Sequence, residues 1–215
     1  VADDEDKQVS SSGTDTGLAG RDGQVADDEL ALVAAAQRRP ADFDLLYQRY
    51  VGPVYCYVRA RIGSHHDAED LTAQVFCQAL AALPRYRVTG QPFAAWLFRI
   101  AHNCVVSHLR RRATAPLNVS LDVNGASPSH EDVVVQRELV RRVGVAVRQL
   151  DATRQTVLAL YYGAGLRVPE IARVLDRSEA STYKLLERTV AALRRVLRDE
   201  ESDHKEHGHG GTGDD

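Results

Sequence analysis

Hydrophobic positions recur along the chain at three- and four-residue intervals and nowhere alternate strictly over any length, so the expected elements are helices alone. The first begins near Asp27, with Leu30, Val33 and Ala34–Ala36 as its apolar residues and Pro40 as its breaker. A second carries Phe43, Leu46, Tyr47, Tyr50 and Val54, with Pro53 a candidate kink. A third follows Ser64, whose hydroxyl is placed to cap the amide of Asp67. Its apolar stripe is Ala68, Leu71, Val75 and Ala79, widened by Phe76, Leu80 and Leu83, and Asp67, Asp70, Gln74 and Gln78 fall opposite. Pro84 ends it. The basic-aromatic stretch Arg85, Tyr86, Arg87 leads through Gly90 and Pro92 to a fourth helix. That helix bears Phe93, Trp96, Leu97, Ile100 and Val105 and finishes on Arg110, Arg111 and Arg112.

The pattern then lapses. Residues 113–132 hold two Pro, a Gly and several Ser, Asn and Asp, the composition of a linker. Helical spacing resumes from about Val133 to Leu150, and Asp151 caps a further helix closed by Gly163 and Gly165. Next, Ile171, Val174 and Leu175 form the apolar side of a short helix entered through Pro169. Asp176 and Arg177 supply a turn, where Asp tolerates a left-handed backbone. Ser178 caps a longer helix with Glu179 at its positive end. Thr182, Leu186, Val190, Leu193 and Leu197 carry the inward spacing of that helix. Two helices of this length joined by so short a turn describe a helix-turn-helix, whose second helix enters the major groove of DNA. An ordinary helical hairpin has the same pattern, and charge decides between them.

The net charge of −3 conceals alternating blocks. Residues 1–29 sum to −7, 30–112 to +6, 113–136 to −3, 137–198 to +7 and 199–215 to −6. Two basic blocks flanked by acidic segments suit a polyanionic partner, and a purely structural hairpin has no need of them. Other classes drop out. No apolar run approaches the roughly 18 residues of a membrane span, and the acidic start lacks a secretory pattern, so a cytoplasmic protein without membrane insertion is expected. Cys56, Cys77 and Cys104 are odd in number and lack CxxC spacing, which leaves buried free thiols as the simple expectation. No Gly-rich phosphate loop, nucleophile motif or HExxH suggests an enzyme, and neither cofactor nor metal site is expected. His204, His207 and His209 could converge on a transition metal, though a solvated tail is the simpler reading.

The expected architecture is all-α, with two small helical domains joined by a flexible linker. The segments are an acidic tail at 1–25, a first domain at 26–112, the linker at 113–132, a second domain at 133–198 and a His-rich acidic tail at 199–215. Both tails are expected to be disordered.

Together these residues resemble the extracytoplasmic-function group of bacterial sigma factors. Phe43–Tyr50 (FDLLYQRY), Asp67–Phe76 (DAEDLTAQVF) and Phe93–Asn103 (FAAWLFRIAHN) with Arg110–Arg112 are similar to that family's region 2. Leu150–Leu160 and Val168–Leu193 are similar to its region 4. The resemblance implies that Asp67, Glu69, Asp70, Leu71 and Gln74 bind core RNA polymerase, with Ala73 and Gln74 standing where Gln and Glu are common. It implies that Tyr86, Arg87, Trp96, Arg99, His102, Asn103, Arg110, Arg111 and Arg112 melt and capture the −10 promoter element. An extruded strand needs such aromatic, hydrogen-bonding and basic groups, although Trp96 among apolar neighbours also fits a core. Ser178, Ser181, Thr182, Tyr183, Lys184 and Arg188 would read the −35 duplex, and an anti-sigma factor is a further implied partner. The alternative is a stand-alone helix-turn-helix regulator, which would need a dimerisation element that the sequence does not display.

Overall fold

A computed structural model describes residues 28–87, 92–114 and 141–207, with side chains described as far as 198 except at 114. The segment 1–25, nearly all of the linker and the positions of the tail histidines' side chains lie outside these bounds. Every regular element among the described residues is helical. Helix α1 spans 28–38. A 3₁₀ turn at Pro40–Asp42 passes into α2 (Phe43–Ile62), followed by α3 (His65–Ala82) and α4 (Phe93–Thr114). The second unit holds α5 (141–148), α6 (Ala152–Leu158), α7 (Val168–Val174) and α8 (Glu179–His207).

The ends follow local chemistry. Ser64 Oγ accepts from the Asp67 amide at 3.3 Å, and Asp151 Oδ1 accepts from the Arg154 amide at 2.9 Å, so both expected caps are present. Pro53 lies within α2 without dividing it. Beyond α6 the chain widens into a π-helical turn at Ala159–Gly163, and Gly165 follows at φ +71°. Asp176 takes φ +55° in the next turn, the left-handed conformation expected of it. Helix α8 runs past Arg198 to His207, and residues 199–206 contain neither Gly nor Pro to stop it.

In the first unit α2, α3 and α4 pack around Leu46, Val54, Tyr57, Val75, Phe93, Leu97 and Phe98, all fully buried or nearly so. Burying each such side chain stabilises the fold by about 1.5–3 kcal/mol. In the second unit Val157, Leu160, Leu166, Ile171 and Val174 are buried between α6, α7 and α8. The two units share one continuous apolar cluster: the Ala159–Gly163 turn packs on α2, and α7 packs on α4. Two inward expectations differ. Tyr47 and Leu80 are 41% and 40% exposed, because helical stripes wider than the facing neighbour spill onto the surface. Cys56 and Cys77 are exposed as well, and only Cys104 is a buried thiol.

Candidate nucleic-acid and polymerase interface

Three surfaces carry the candidate residues. On α3, Glu69, Asp70, Ala73 and Gln74 are exposed along one side, a face of acidic and amide groups. Leu71 is 3% exposed and belongs to the core beneath them, so the residue assigned by resemblance to the polymerase surface supports that face from inside. Asp67 is half-buried and turned toward α4, where its carboxylate lies 3.3 Å from Arg112 Nη1 and 4.0 Å from His108 Nε2. Leu80 shares the exposed side with Ala73 and Cys77, and sequence reasoning missed it because an apolar residue at helical spacing reads as core.

Helix α4 presents the second surface. Arg99, Asn103, Arg110 and Arg111 are exposed and Arg112 is partly so. The aromatic residues are arranged differently from the expectation. Tyr86 is 8% exposed and stands edge-on to Phe93 at 5.8 Å, with Trp96 half-buried 4.9 Å from Tyr86 and 5.3 Å from Phe93. Tyr86 is thus a core residue of this cluster, while Trp96 keeps an open flank and Arg87 is exposed. Gln37 of α1 holds the approach to α4 by donating to the carbonyls of Leu83 and Tyr86 at 2.9 and 2.7 Å. His102 is half-buried, its Nδ1 3.0 Å from the Tyr57 hydroxyl. Burial, reinforced by Arg61 and Arg99, holds its imidazole below the usual histidine range.

The third surface is the helix-turn-helix. Arg177 N–H donates to the Ala172 carbonyl at 2.8 Å, closing the turn, and Ser178 Oγ accepts from Ser181 N–H at 3.2 Å at the start of α8. Tyr183, Lys184 and Arg188 project outward, Tyr183 with 63% of its surface exposed. Thr182 does not. It is fully buried and its hydroxyl donates to the Ser178 carbonyl at 3.0 Å, so its expected contact with bases is corrected to a packing role. Lys184 and Arg188 line a groove of about 440 Å³ with Arg154, Arg177, Ser178 and Ser181. Arg154 and Arg177 were missed by the sequence reading. The first belongs to a supporting helix and the second to a turn, and only the fold brings both beside Lys184 and Arg188. Four cations around the N-terminal part of one exposed helix suit the phosphates flanking a major groove.

The fold and these surfaces define a two-unit helical protein built to handle nucleic acid. Two family models match it in the same order, sigma-70 region 2 over residues 46–114 and sigma-70 region 4 over residues 141–193. The chain belongs to the ECF RNA polymerase sigma factors of the sigma-70 type. It is 36% identical over 80% of its length to the ECF RNA polymerase sigma factor BldN of Streptomyces coelicolor, and it spans 66% of that relative. It is 26% identical over 70% of its length to SigW of Bacillus subtilis, spanning 86% of that factor. Among solved structures, CnrH in complex with the cytosolic domain of CnrY superposes with a TM-score of 0.62 at 24% identity, covering 80% of this chain and 97% of CnrH. RpoE from Bartonella quintana, in complex with the anti-sigma factor NepR, gives 0.59 at 19% identity, covering 73% and 97%. Both show the same fold.

Proposed function

We propose that the chain directs core RNA polymerase to promoters, with a separate task for each surface. The observation that carries this reading is the joint presence, on one chain, of a cation-lined helix-turn-helix groove and an acidic-amide face on α3. A regulator that acts without polymerase needs only the first.

The groove at the start of α8 takes the −35 element as duplex. Tyr183, Lys184 and Ser181 face the bases, while Arg154, Arg177 and Arg188 neutralise phosphates. The exposed face of α4 holds the −10 strand once it leaves the duplex. Arg99, Arg110, Arg111 and Arg112 supply phosphate contacts, Asn103 an edge for hydrogen bonding and the open flank of Trp96 a stacking surface. Glu69, Asp70 and Gln74 bind a basic surface of the polymerase, with Leu80 as an apolar neighbour.

None of these steps makes or breaks a covalent bond, so the chain acts as a specificity subunit of an enzyme and not as a catalyst. Its place of work is the cytoplasm, where the polymerase is, and no described helix is long and apolar enough to cross a membrane. The anti-sigma factor bound to RpoE makes an anti-sigma partner a reasonable extension to this chain. Run-off transcription with purified core polymerase and a library of promoter fragments tests the reading. Specific transcripts that require the chain support it; duplex binding with no polymerase-dependent transcript overturns it in favour of a stand-alone regulator.

A further inference from the structure

Helix α1 reaches the rest of the first unit through two polar side chains as well as its apolar face. Near its end, Gln37 Nε2 donates to the carbonyls of Leu83 and Tyr86 at 2.9 and 2.7 Å. These carbonyls bracket the 3₁₀ turn Leu83–Arg85, after which the backbone runs extended, with Tyr86 at ψ 129°. Near its start, Glu29 accepts the N–H of Phe93, where α4 begins, and also the Tyr50 hydroxyl. Eight residues separate Glu29 from Gln37, about 12 Å along a helix rising 1.5 Å per residue. One short helix thus holds the chain on both sides of the stretch from Arg87 to Pro92.

Satisfying helix ends does not by itself call for this arrangement. Carbonyls and amides at a helix end can be met by water, and Gln37 is exposed. It nevertheless directs its amide N–H groups to two carbonyls 46 and 49 residues away. The backbone of Tyr86 is fixed by that contact, and its ring stands edge-on to Phe93 and 4.9 Å from Trp96. Phe93, pinned through its amide by Glu29, lies 5.3 Å from Trp96 on the same helix. Trp96 is therefore seated against two rings whose backbones α1 holds. A side chain becomes a precise binding surface when its neighbours are locked in this way.

We propose that Gln37 and Glu29 are positioning residues for strand capture: by holding Tyr86 and Phe93 they set the open flank of Trp96, and through it the base preference at the −10 element. Helix α1, which carries no candidate DNA contact, thereby belongs to the reading machinery. The proposal rests on the assignment of the Trp96 flank to the −10 strand.

Trp96 is the single tryptophan of the chain, so its fluorescence reports on this site alone. In the full chain without DNA, Gln37→Met keeps the side-chain length and removes the donors. It should shift Trp96 emission to the red and increase quenching by acrylamide. Gln37→Lys, which restores N–H donors, should return both toward the wild type. Run-off transcription with core polymerase, from promoter fragments varied singly at the −10 and −35 elements, gives the second measure. Gln37→Met should narrow the spread of yields among −10 variants several-fold and leave the spread among −35 variants unaltered. Val75→Ala, a core change on α3 that removes neither hydrogen bond, controls for stability and should leave the −10 spread in place. Unchanged emission with an unchanged −10 spread in Gln37→Met overturns the proposal. So does equal narrowing by Val75→Ala, which would make Gln37 a general support of the fold. Shifted emission with an unaltered −10 spread overturns the link to base preference. A wild-type chain without any spread among −10 variants would count instead against the strand assignment, and the emission measurements would still decide whether α1 sets the Trp96 flank.

Discussion

The carboxylate of Glu29 accepts the backbone N–H of Phe93 at 3.2 Å, joining the first described helix to the start of α4 across 64 residues of sequence. Its other oxygen accepts the Tyr50 hydroxyl. Burial raises the Glu29 pKa, while the Phe93 amide and then Arg49 oppose that rise. The positive end of α4 is thereby satisfied by a side chain from α1, and α4 is held at its entry. Glu29→Ala should destabilise the chain by about 1–3 kcal/mol, seen as a lower midpoint in urea with little change in slope. An unchanged midpoint would show that this joint contributes nothing.

Acid should loosen the packing around His102. Its folded pKa lies below the ordinary value of 6.5, through burial first and then Arg61 and Arg99. The unfolded chain therefore binds the proton more readily, and the stability tied to neutral His102 is complete above about pH 6.5 and falls as pH drops toward the folded pKa. A His102→Gln variant should lose less stability than the wild type between neutral pH and that region in parallel urea titrations. Identical losses would assign the acid sensitivity to other groups.

Two neighbouring residues of α8 separate reading from packing. Thr182→Val should leave the preference among −35 sequences unaltered, since the buried hydroxyl donates to the Ser178 carbonyl. Tyr183→Ala should change that preference. Lys184→Ala and Arg154→Ala should each weaken duplex binding across all sequences and reduce the salt slope by about 1. Fluorescence anisotropy with a randomised duplex set measures all four.

On α3 the two aspartates should part company. Asp70 is exposed, so Asp70→Lys should reduce affinity for core polymerase while leaving the melting temperature nearly unchanged. Asp67 is half-buried against Arg112 and His108, and its loss should lower stability as well as binding. Pull-down of core polymerase alongside thermal melts separates the two effects, and equal behaviour of both variants would contradict the geometry.

The helices and their caps were legible because each depends on residues close in sequence. Ser64, Asp151 and Ser178 each accept from an amide three residues ahead, and Asp176 sits in the backbone region its side chain tolerates. What escaped is whatever depends on a partner far along the chain. Tyr86 becomes core only because Phe93 and Trp96 fold onto it, whereas the inward spacing of Thr182 already spoke for its burial and the resemblance alone assigned it to DNA. Arg154 joins the groove only when α6 is set beside α8. No periodicity along one segment announces that Arg99 will meet a carbonyl 74 residues away.

The apolar cluster common to both units reaches beyond folding. The proposed −35 contact lies in the second unit, so its exchange between relatives is an obvious way to build factors with new targets. Here Leu160 and Ile171 of the second unit complete the same core as Val54 and Phe98 of the first. A transplanted reading module must therefore match its host through the turn at Ala159–Gly163 and the inner side of α7, as well as matching the promoter. Hybrids chosen only by their recognition helices should fold poorly or stay open, and compatible pairs should be recognisable from the residues at that seam.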